Sequence, residues 1–210
     1  PVLCKRLCVD TGYYEAFNRD NVELVDVAAQ PIERITPTGL RAGDRDFAFD
    51  SLVFATGFDA MTGTLLRIDI RGRGGRALRD KWAEGPLNYL GLAVEGFPNL
   101  FMIVGPGSPS ALTNVLMQIE QHVNWIGDCL AWLRAHDRRT IEAGADAERA
   151  WVAHVNATAE RTVFTGCNSW YLGANIPGKP RMFMALPGFP PYAEKCAEVA
   201  QHDYEGFQVA

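Results

Sequence analysis

Lys5 and Arg6 stand side by side ahead of the apolar Leu7. On an extended strand neighbouring side chains point to opposite faces, so this pair can address two anionic targets at once. A compact ammonium suits a phosphate monoester, whereas a planar guanidinium suits an oxyanion or peroxide that needs two aligned donors. From the pair alone plain solvation is the better reading, because two neighbouring basic residues usually just face water.

Three further stretches gather groups of chemical interest. Ser169-Trp170-Tyr171, Gly173-Ala174-Asn175 and Gly178-Lys179-Pro180 bring aromatic, amide and cationic side chains into one segment. An aromatic face there can stack on a ring or cover a sugar, or it can plug the loop onto a core. Gly105-Pro106-Gly107-Ser108-Pro109-Ser110-Ala111 leads from an apolar run into a helical pattern. Its backbone N–H groups and the positive helix end suit an electron-rich ring or an oxyanion. Ala55-Thr56-Gly57-Phe58-Asp59 closes another apolar run with small residues, which suits either a tight turn or a close backbone approach to a ligand. The glycine pattern Gly72-Arg73-Gly74-Gly75-Arg76-Ala77 has the form GxGxxA but not its required setting. The residues before it are short and charged, and Gly85-Pro86 halts the chain beyond it before a dinucleotide-binding helix can form. It reads as a surface turn.

These groups need elements to hold them. Between Asn21 and Gly57 the runs beginning at Asn21, Pro31 and Arg45, broken by Pro37-Thr38-Gly39 and Ala42-Gly43-Asp44, predict a small β-meander. Ser51 to Ala55 is continuously apolar, as a central strand buried on both faces would be, and Phe97 to Gly105 reads as a second such strand. Val115, Ile119, Val123, Ile126, Leu130 and Leu133 recur at spacings of three and four, which predicts one amphipathic helix ending near Ala135. Further helices are predicted from Asp146, as cap, to about Val163, and from Tyr192 to about His202. The strand, loop and helix from Phe97 to Ala135 form the α/β unit expected beside a parallel sheet.

Composition bounds the rest. With 210 residues, 48% of them hydrophobic and 21% charged, the chain has the makings of a packed core. A net charge of -5 gives no basic surface for nucleic acid, so a small molecule is the expected partner. Cys4, Cys8, Cys129, Cys167 and Cys196 form no CxxC pair, and no histidine stands at zinc-ligand spacing from a cysteine. Reduced thiols in a cytoplasmic protein, with no metal and no membrane anchor, are therefore expected. The chain opens on Pro1-Val2-Leu3-Cys4 with no cap or turn ahead of the apolar run, which reads as a piece of something larger.

Nine segments, CKR, YYEAFNRDNVELVD, PIERITPTG, DSLVFATGFDAMTG, IDIRGRGG, YLGLAVEGFPNLF, GPGSPSAL, IEQHVNWI and SWYLGANIPGKPR, succeed one another in this order. Together they resemble the C-terminal portion of Baeyer–Villiger monooxygenases, near the phenylacetone and steroid monooxygenase branch. The resemblance implies an α/β fold made of parts of two Rossmann-like dinucleotide-binding domains. Residues 1–46 would be the C-terminal piece of the NADP-binding domain, 47–59 the linker between domains and 60–210 the C-terminal part of the FAD-binding domain. It implies FAD and NADPH as cofactors, and O2 and a ketone as reactants, the ketone becoming an ester or lactone through a flavin C4a-peroxide.

By the same resemblance Arg6 is the catalytic arginine that also meets the cofactor, and Lys5 reads the 2'-phosphate of NADPH. Trp170 contacts the nicotinamide nucleotide, and Val115 meets the flavin where the helix starts. Ser110, Ala111 and Leu112 form the substrate-pocket bulge, and Ala55, Thr56, Gly57 and Asp59 belong to the linker. The glycine fingerprints for both nucleotides, the signature motif with its histidine and the acidic partner of the arginine precede the matched region in the family. The chain alone is thus expected to be inactive and to need the missing N-terminal portion as its partner. Two other readings remain: a stand-alone binding or interaction module, and a flavin monooxygenase that oxygenates amines or sulfides.

Overall fold

A computed structural model of the protein describes residues 4–5, 8–174, 176–181 and 188–210. It divides into two compact units, Leu7–Gly57 on one side and Phe58–Ala210 together with Pro1–Arg6 on the other.

The smaller unit holds a one-turn helix α1 (Tyr13–Ala16) and the strands β1 (Ile32–Thr36), β2 (Gly39–Ala42) and β3 (Arg45–Ala48). They form the antiparallel order β1-β2-β3, so the predicted meander is present. Pro37-Thr38 joins the first hairpin, where Thr36 pairs with Gly39, and Gly43 at φ 54 turns the second. Gly39 is required there, because a Cβ would lie 1.9 Å from the carbonyl oxygen of Phe47. The run from Asn21 is not a strand. Its Asp26 carboxylate instead accepts from the N–H of Ala28 at 2.9 Å and closes a turn. Ser51 to Ala55 does not form the predicted central strand either: it has no ladder partner, and Val53 is 85% exposed. A strand buried on both faces needs neighbours on both edges, and among the described residues nothing pairs with this run.

The larger unit contains α2 (Gly63–Arg67), α3 (Leu78–Lys81), α4 (Val115–Ala135), β4 (Ile141–Ala143), α5 (Ala145–Ala159), α6 (Phe189–Gln201) and β5 (Phe207–Val209). Its main core gathers Leu90, Leu92, Trp125, Cys129, Leu133, Trp151, Tyr192 and Cys196, and a second cluster joins Leu78, Trp82, Val94, Phe97 and Met102. The strands β4 and β5 pair antiparallel. Among the described residues every ladder is antiparallel, so the parallel sheet expected beside α4 is corrected to a mixed α/β arrangement with two small sheets. Phe97 to Gly105 is buried at Phe97 and Met102 but is not a strand. Asn99 at φ 59 and Val104 at φ 56 turn the backbone out of the extended region twice within six residues, which a ladder does not tolerate.

The helices lie closer to expectation. The helix α4 keeps to the predicted span and ends at Ala135. Gly144, not Asp146, caps α5; Asp146 lies inside the first turn, 2.5 Å from the Arg149 guanidinium. The helix α6 begins at Phe189, earlier than the predicted Tyr192, with Pro190 and Pro191 in its first turn. Proline suits that place because first-turn N–H groups have no helical partner. The all-thiol expectation is corrected at one pair: Cys4 and Cys167 are disulfide-bonded with their Cα atoms 6.0 Å apart, the usual separation for a bridge. A sequence separation of 163 hides such a pairing from any local spacing rule.

Two buried carboxylates tie the larger unit together. Glu148 accepts from Lys81 Nζ at 2.8 Å and from the N–H of Glu95 at 3.0 Å, while Glu95 holds Lys81 at 2.7 Å; the lysine keeps the Glu95 carboxyl below its ordinary value. Glu142 accepts from the Arg73 guanidinium at 2.7 Å and from the N–H of Gly96 at 2.9 Å. The GxGxxA turn is therefore stapled to β4. Removing one partner of a buried ion pair strands the other charge, which costs roughly 3–5 kcal/mol. Lys81→Met is expected to lower the unfolding free energy from urea titration by that order, seen as a lower midpoint, and adding Glu148→Leu to recover most of the loss. A midpoint unchanged by Lys81→Met would show that solvent screens the pair.

Candidate functional site

The site is built where the polypeptide runs from Val104 into α4. Gly105 to Pro109 is buried, and two close approaches fix its path. A Cβ on Gly105 would lie 2.3 Å from the carbonyl oxygen of Gly91, and one on Gly91 would lie 2.8 Å from Ser108. Asn88 accepts from the N–H of Gly91 at 2.8 Å, Ser108 Oγ donates to the Gly105 carbonyl at 2.7 Å, and Trp151 Nε1 donates to the Gly107 carbonyl at 3.2 Å. These glycines are thus spent on packing within the chain. The surface they deliver is the adjoining 3-10 turn, Ser110–Leu112, whose Ser110 and Leu112 are half-buried, and then Val115, exposed at the start of α4. Asn114 caps that helix, its side chain accepting from the N–H of Leu116 at 3.1 Å.

The buried face of α4 meets the apolar stripe that periodicity picks out only at Leu133, with Ile126 packed at its edge. Gln118, His122, Trp125, Cys129 and Leu133 face the core, whereas Val115, Val123 and Leu130 are exposed, and Leu116 between them is 73% exposed. The helix has two apolar faces, and the one richer in branched aliphatics is uncovered. Polar residues four apart on the inner face are the signal in the sequence, and they make sense only once their partners are seen. Gln118 Oε1 accepts from the N–H of Ser110 at 2.8 Å. His122 Nδ1 accepts from the N–H of Val104 at 3.0 Å, so the proton of the neutral ring sits on Nε2. From there it reaches Tyr192 Oη at 2.6 Å, and the tyrosine hydroxyl donates to the Leu90 carbonyl at 2.7 Å. Gln118 Nε2, 3.4 Å from His122 Nε2, then meets another donor and counts as packing. Burial pushes the His122 pKa down to about 4 and that of Tyr192 well above its ordinary value.

A second group of residues meets at the Cys4–Cys167 bridge. Lys5 is exposed directly after Cys4, and the 3-10 turn Trp170–Leu172 comes shortly after Cys167. Tyr171 and Leu172 are buried and Ser169 caps the turn, which leaves Trp170 38% exposed with its ring edge-on to Tyr171 at 4.5 Å. Lys179 Nζ reaches back to Asp59 at 2.5 Å and to the Ala60 carbonyl at 2.6 Å. Ala55, Thr56 and Gly57 are exposed outside any regular element, Gly57 at φ 81. Arg6 and Asn175 lie outside the described residues, as does the side chain of Ala111. The bridge thus brings Lys5 and the Trp170 turn into one neighbourhood. It leaves Val115 and the Ser110–Leu112 turn at the head of α4.

No family model matches the sequence. A cyclohexanone 1,2-monooxygenase of Acinetobacter sp is 42% identical over 98% of this chain. The phenazine N-monooxygenase PhzNO1 of Lysobacter antibioticus is 40% identical over 97%. The crystal structure of OTEMO complexed with FAD and NADP superposes with a TM-score of 0.91 at 39% identity, covering 99% of this chain. The chain spans 38% of the length of each of these proteins. Among the described residues no helix is long and apolar enough to cross a membrane.

The lowered His122 pKa sets a pH dependence. Between its ordinary 6.5 and about 4 the unfolded chain binds a proton that the folded one refuses, so stability is full above 6.5 and falls as pH drops through that window. The loss approaches about 3 kcal/mol near pH 4. Urea midpoints measured from pH 7 to pH 4.5 should fall more steeply for the native sequence than for His122→Asn. Parallel slopes would remove His122 from this role.

Proposed function

We propose that this chain, a homologue of the C-terminal part of Baeyer–Villiger monooxygenases, belongs to an enzyme that uses FAD, NADPH and O2 to turn ketones into esters or lactones, and is inactive by itself. The observation that carries the reading is a likeness running through 98% of the chain, at 42% identity, to an enzyme named for a ketone. The balance of the reaction is one oxygen atom inserted beside the carbonyl, the other released as water, and NADPH oxidised. When bound, the reduced flavin supplies the activation of O2.

The residues present fit those groups. An exposed cation, Lys5, and an exposed indole face, Trp170, share one neighbourhood through the Cys4–Cys167 bridge; the ammonium would bind the 2'-phosphate of NADPH and the ring would cover its nicotinamide nucleotide. Val115 would touch the flavin from the head of α4, and Ser110, Ala111 and Leu112 would shape the ketone pocket. Arg6 would stabilise the negative charge that develops as oxygen adds to the carbonyl, a fixed cation aimed at forming charge. Residues 1–46 and 60–210 would belong to the NADP and FAD domains, with 47–59, including Ala55 to Asp59, as linker. The uncovered apolar stripe Leu116, Val123 and Leu130 on α4 supports packing against the N-terminal portion of the same enzyme, in the cytoplasm.

A second reading, oxygenation of a nitrogen instead of a ketone, is favoured by the phenazine N-monooxygenase among the relatives. In the full-length enzyme, Arg6→Ala should abolish ketone oxygenation while hydride transfer from NADPH to flavin persists; equal loss of both steps would remove the role given to Arg6. Lys5→Ala should raise the KM for NADPH about tenfold or more and leave that for NADH nearly unchanged, since only the former carries the extra phosphate. Equal effects on both would reassign Lys5. Full-length enzyme that oxidises NADPH without forming esters from cyclic, aryl or steroidal ketones would overturn the ketone reading, and N-oxide formation would install the second.

A further inference from the structure

We infer that Gln118 and His122 act as a two-point clamp that fixes the Ser110–Leu112 turn and thereby sets which ketones the enzyme accepts and on which side oxygen enters. The pocket half of this inference rests on the proposal that Ser110–Leu112 shapes the ketone pocket. The clamp itself rests on geometry.

Val104 at φ 56 and Ser110 at φ 46 are non-glycine residues in the left-handed region, Val104 against the strong preference of a β-branched side chain. Such conformations persist only where surrounding structure over-determines them. The structure supplies one buried acceptor for each: the amide oxygen of Gln118 for the Ser110 N–H and the Nδ1 of His122 for the Val104 N–H. Both acceptors come from the same face of α4, one helical turn apart, and neither residue is exposed to solvent at all. The ends of the segment 104–110 are thus held against a single rigid helix. Between them Gly105 and Gly107 press on Gly91 and Asn88, so the segment has no room to drift. A turn held this way presents its side chains at a fixed place, which is what discrimination between similar substrates requires. Neither Gln118 nor His122 is assigned contact with the reacting atoms; both are positioning residues. The chain behind His122, through Tyr192 to the Leu90 carbonyl, fixes the ring and leaves its acceptor nitrogen facing Val104.

The test uses the full-length enzyme loaded with FAD and compares Gln118→Met, which keeps the shape and removes the acceptor, with His122→Asn and with Leu133→Ala. The last loses core packing on the same helix but no contact to the segment. Amide exchange of Val104 and Ser110 is measured together with the ratio of the two regioisomeric esters formed from an unsymmetrical ketone, and with KM and kcat. For Gln118→Met the exchange of Ser110 should quicken by about tenfold, the effect of leaving one buried donor unpaired. The ester ratio should shift severalfold and KM should rise more than kcat falls. Leu133→Ala should lower the melting temperature without moving the ratio. Unchanged exchange in both Gln118→Met and His122→Asn would overturn the clamp. Faster exchange with an unchanged ratio and KM, or an equal ratio shift in Leu133→Ala, would overturn its part in selectivity. If the unaltered enzyme formed no ester, the ketone reading and the selectivity role would fall together, while the exchange data would still decide the clamp.

Discussion

The larger unit depends on hydrogen bonds that α4 makes inward, from a helix face where apolar residues would ordinarily sit. Gln118 and His122 are both fully buried, and each satisfies a backbone N–H belonging to a residue in an unfavourable conformation. Burying an amide and an imidazole is tolerable only when their strong groups are paired. The cost of stranding them is what makes the path from Val104 to Ser110 unique. Everything attributed to the head of α4 depends on that path: the Ser110–Leu112 turn is held in place, the Asn114 cap comes next, and Val115 emerges at the helix start. The tyrosine behind His122 extends the constraint to Leu90, so α6 and the segment before Val104 are fixed by the same chain of donors.

Legibility in the sequence tracked the range of the interactions concerned. The span of α4 could be read because a long helix repeats its pattern many times and ends freely near Ala135. The meander could be read because Pro37-Thr38-Gly39 and Ala42-Gly43-Asp44 encode its turns locally. The segments Ser51–Ala55 and Phe97–Gly105 misled for one shared reason: an apolar run records burial, or a preference for it, and not the ladder that would make it a strand. In one case the described partners are absent. In the other, positive φ values at Asn99 and Val104 break the extended path; asparagine is a residue that tolerates this, but nothing in a valine announces it. The pairing of Cys4 with Cys167, and that of Lys179 with Asp59, join residues more than a hundred positions apart, beyond any local rule.

The face of α4 is the most instructive difference. Periodicity pointed to Val115, Ile119, Val123, Ile126, Leu130 and Leu133; Leu133 is buried and Ile126 packs against the core, yet Val115, Val123 and Leu130 are exposed and most of the buried face lies beside them. Both statements hold if the helix is shared. A helix apolar around most of its circumference suits burial on several sides, and the described residues cover one of them. Among the described residues the more apolar stretch of that circumference stays exposed at Val115, Leu116, Val123 and Leu130, while the polar-marked face is the one that packs inside the unit.

The same distinction between inner and outer contacts applies to the residues proposed for the site. Val115 and the Ser110–Leu112 turn follow from the path that Gln118 and His122 fix, and Trp170 from the buried Tyr171 and Leu172 beside it. Electrostatic stabilisation by a cation, or stacking by an indole, works on charge and ring held within hydrogen-bond or contact distance, and holding a dinucleotide requires a phosphate-cradling loop at the head of a helix. The one glycine-rich pattern in the chain, Gly72 to Ala77, is instead spent against Glu142 and Gly96. A glycine pattern is thus not a phosphate site by composition alone: what decides is whether its backbone N–H groups are free, and those of Gly72, Arg73 and Gly75 are already engaged within the chain.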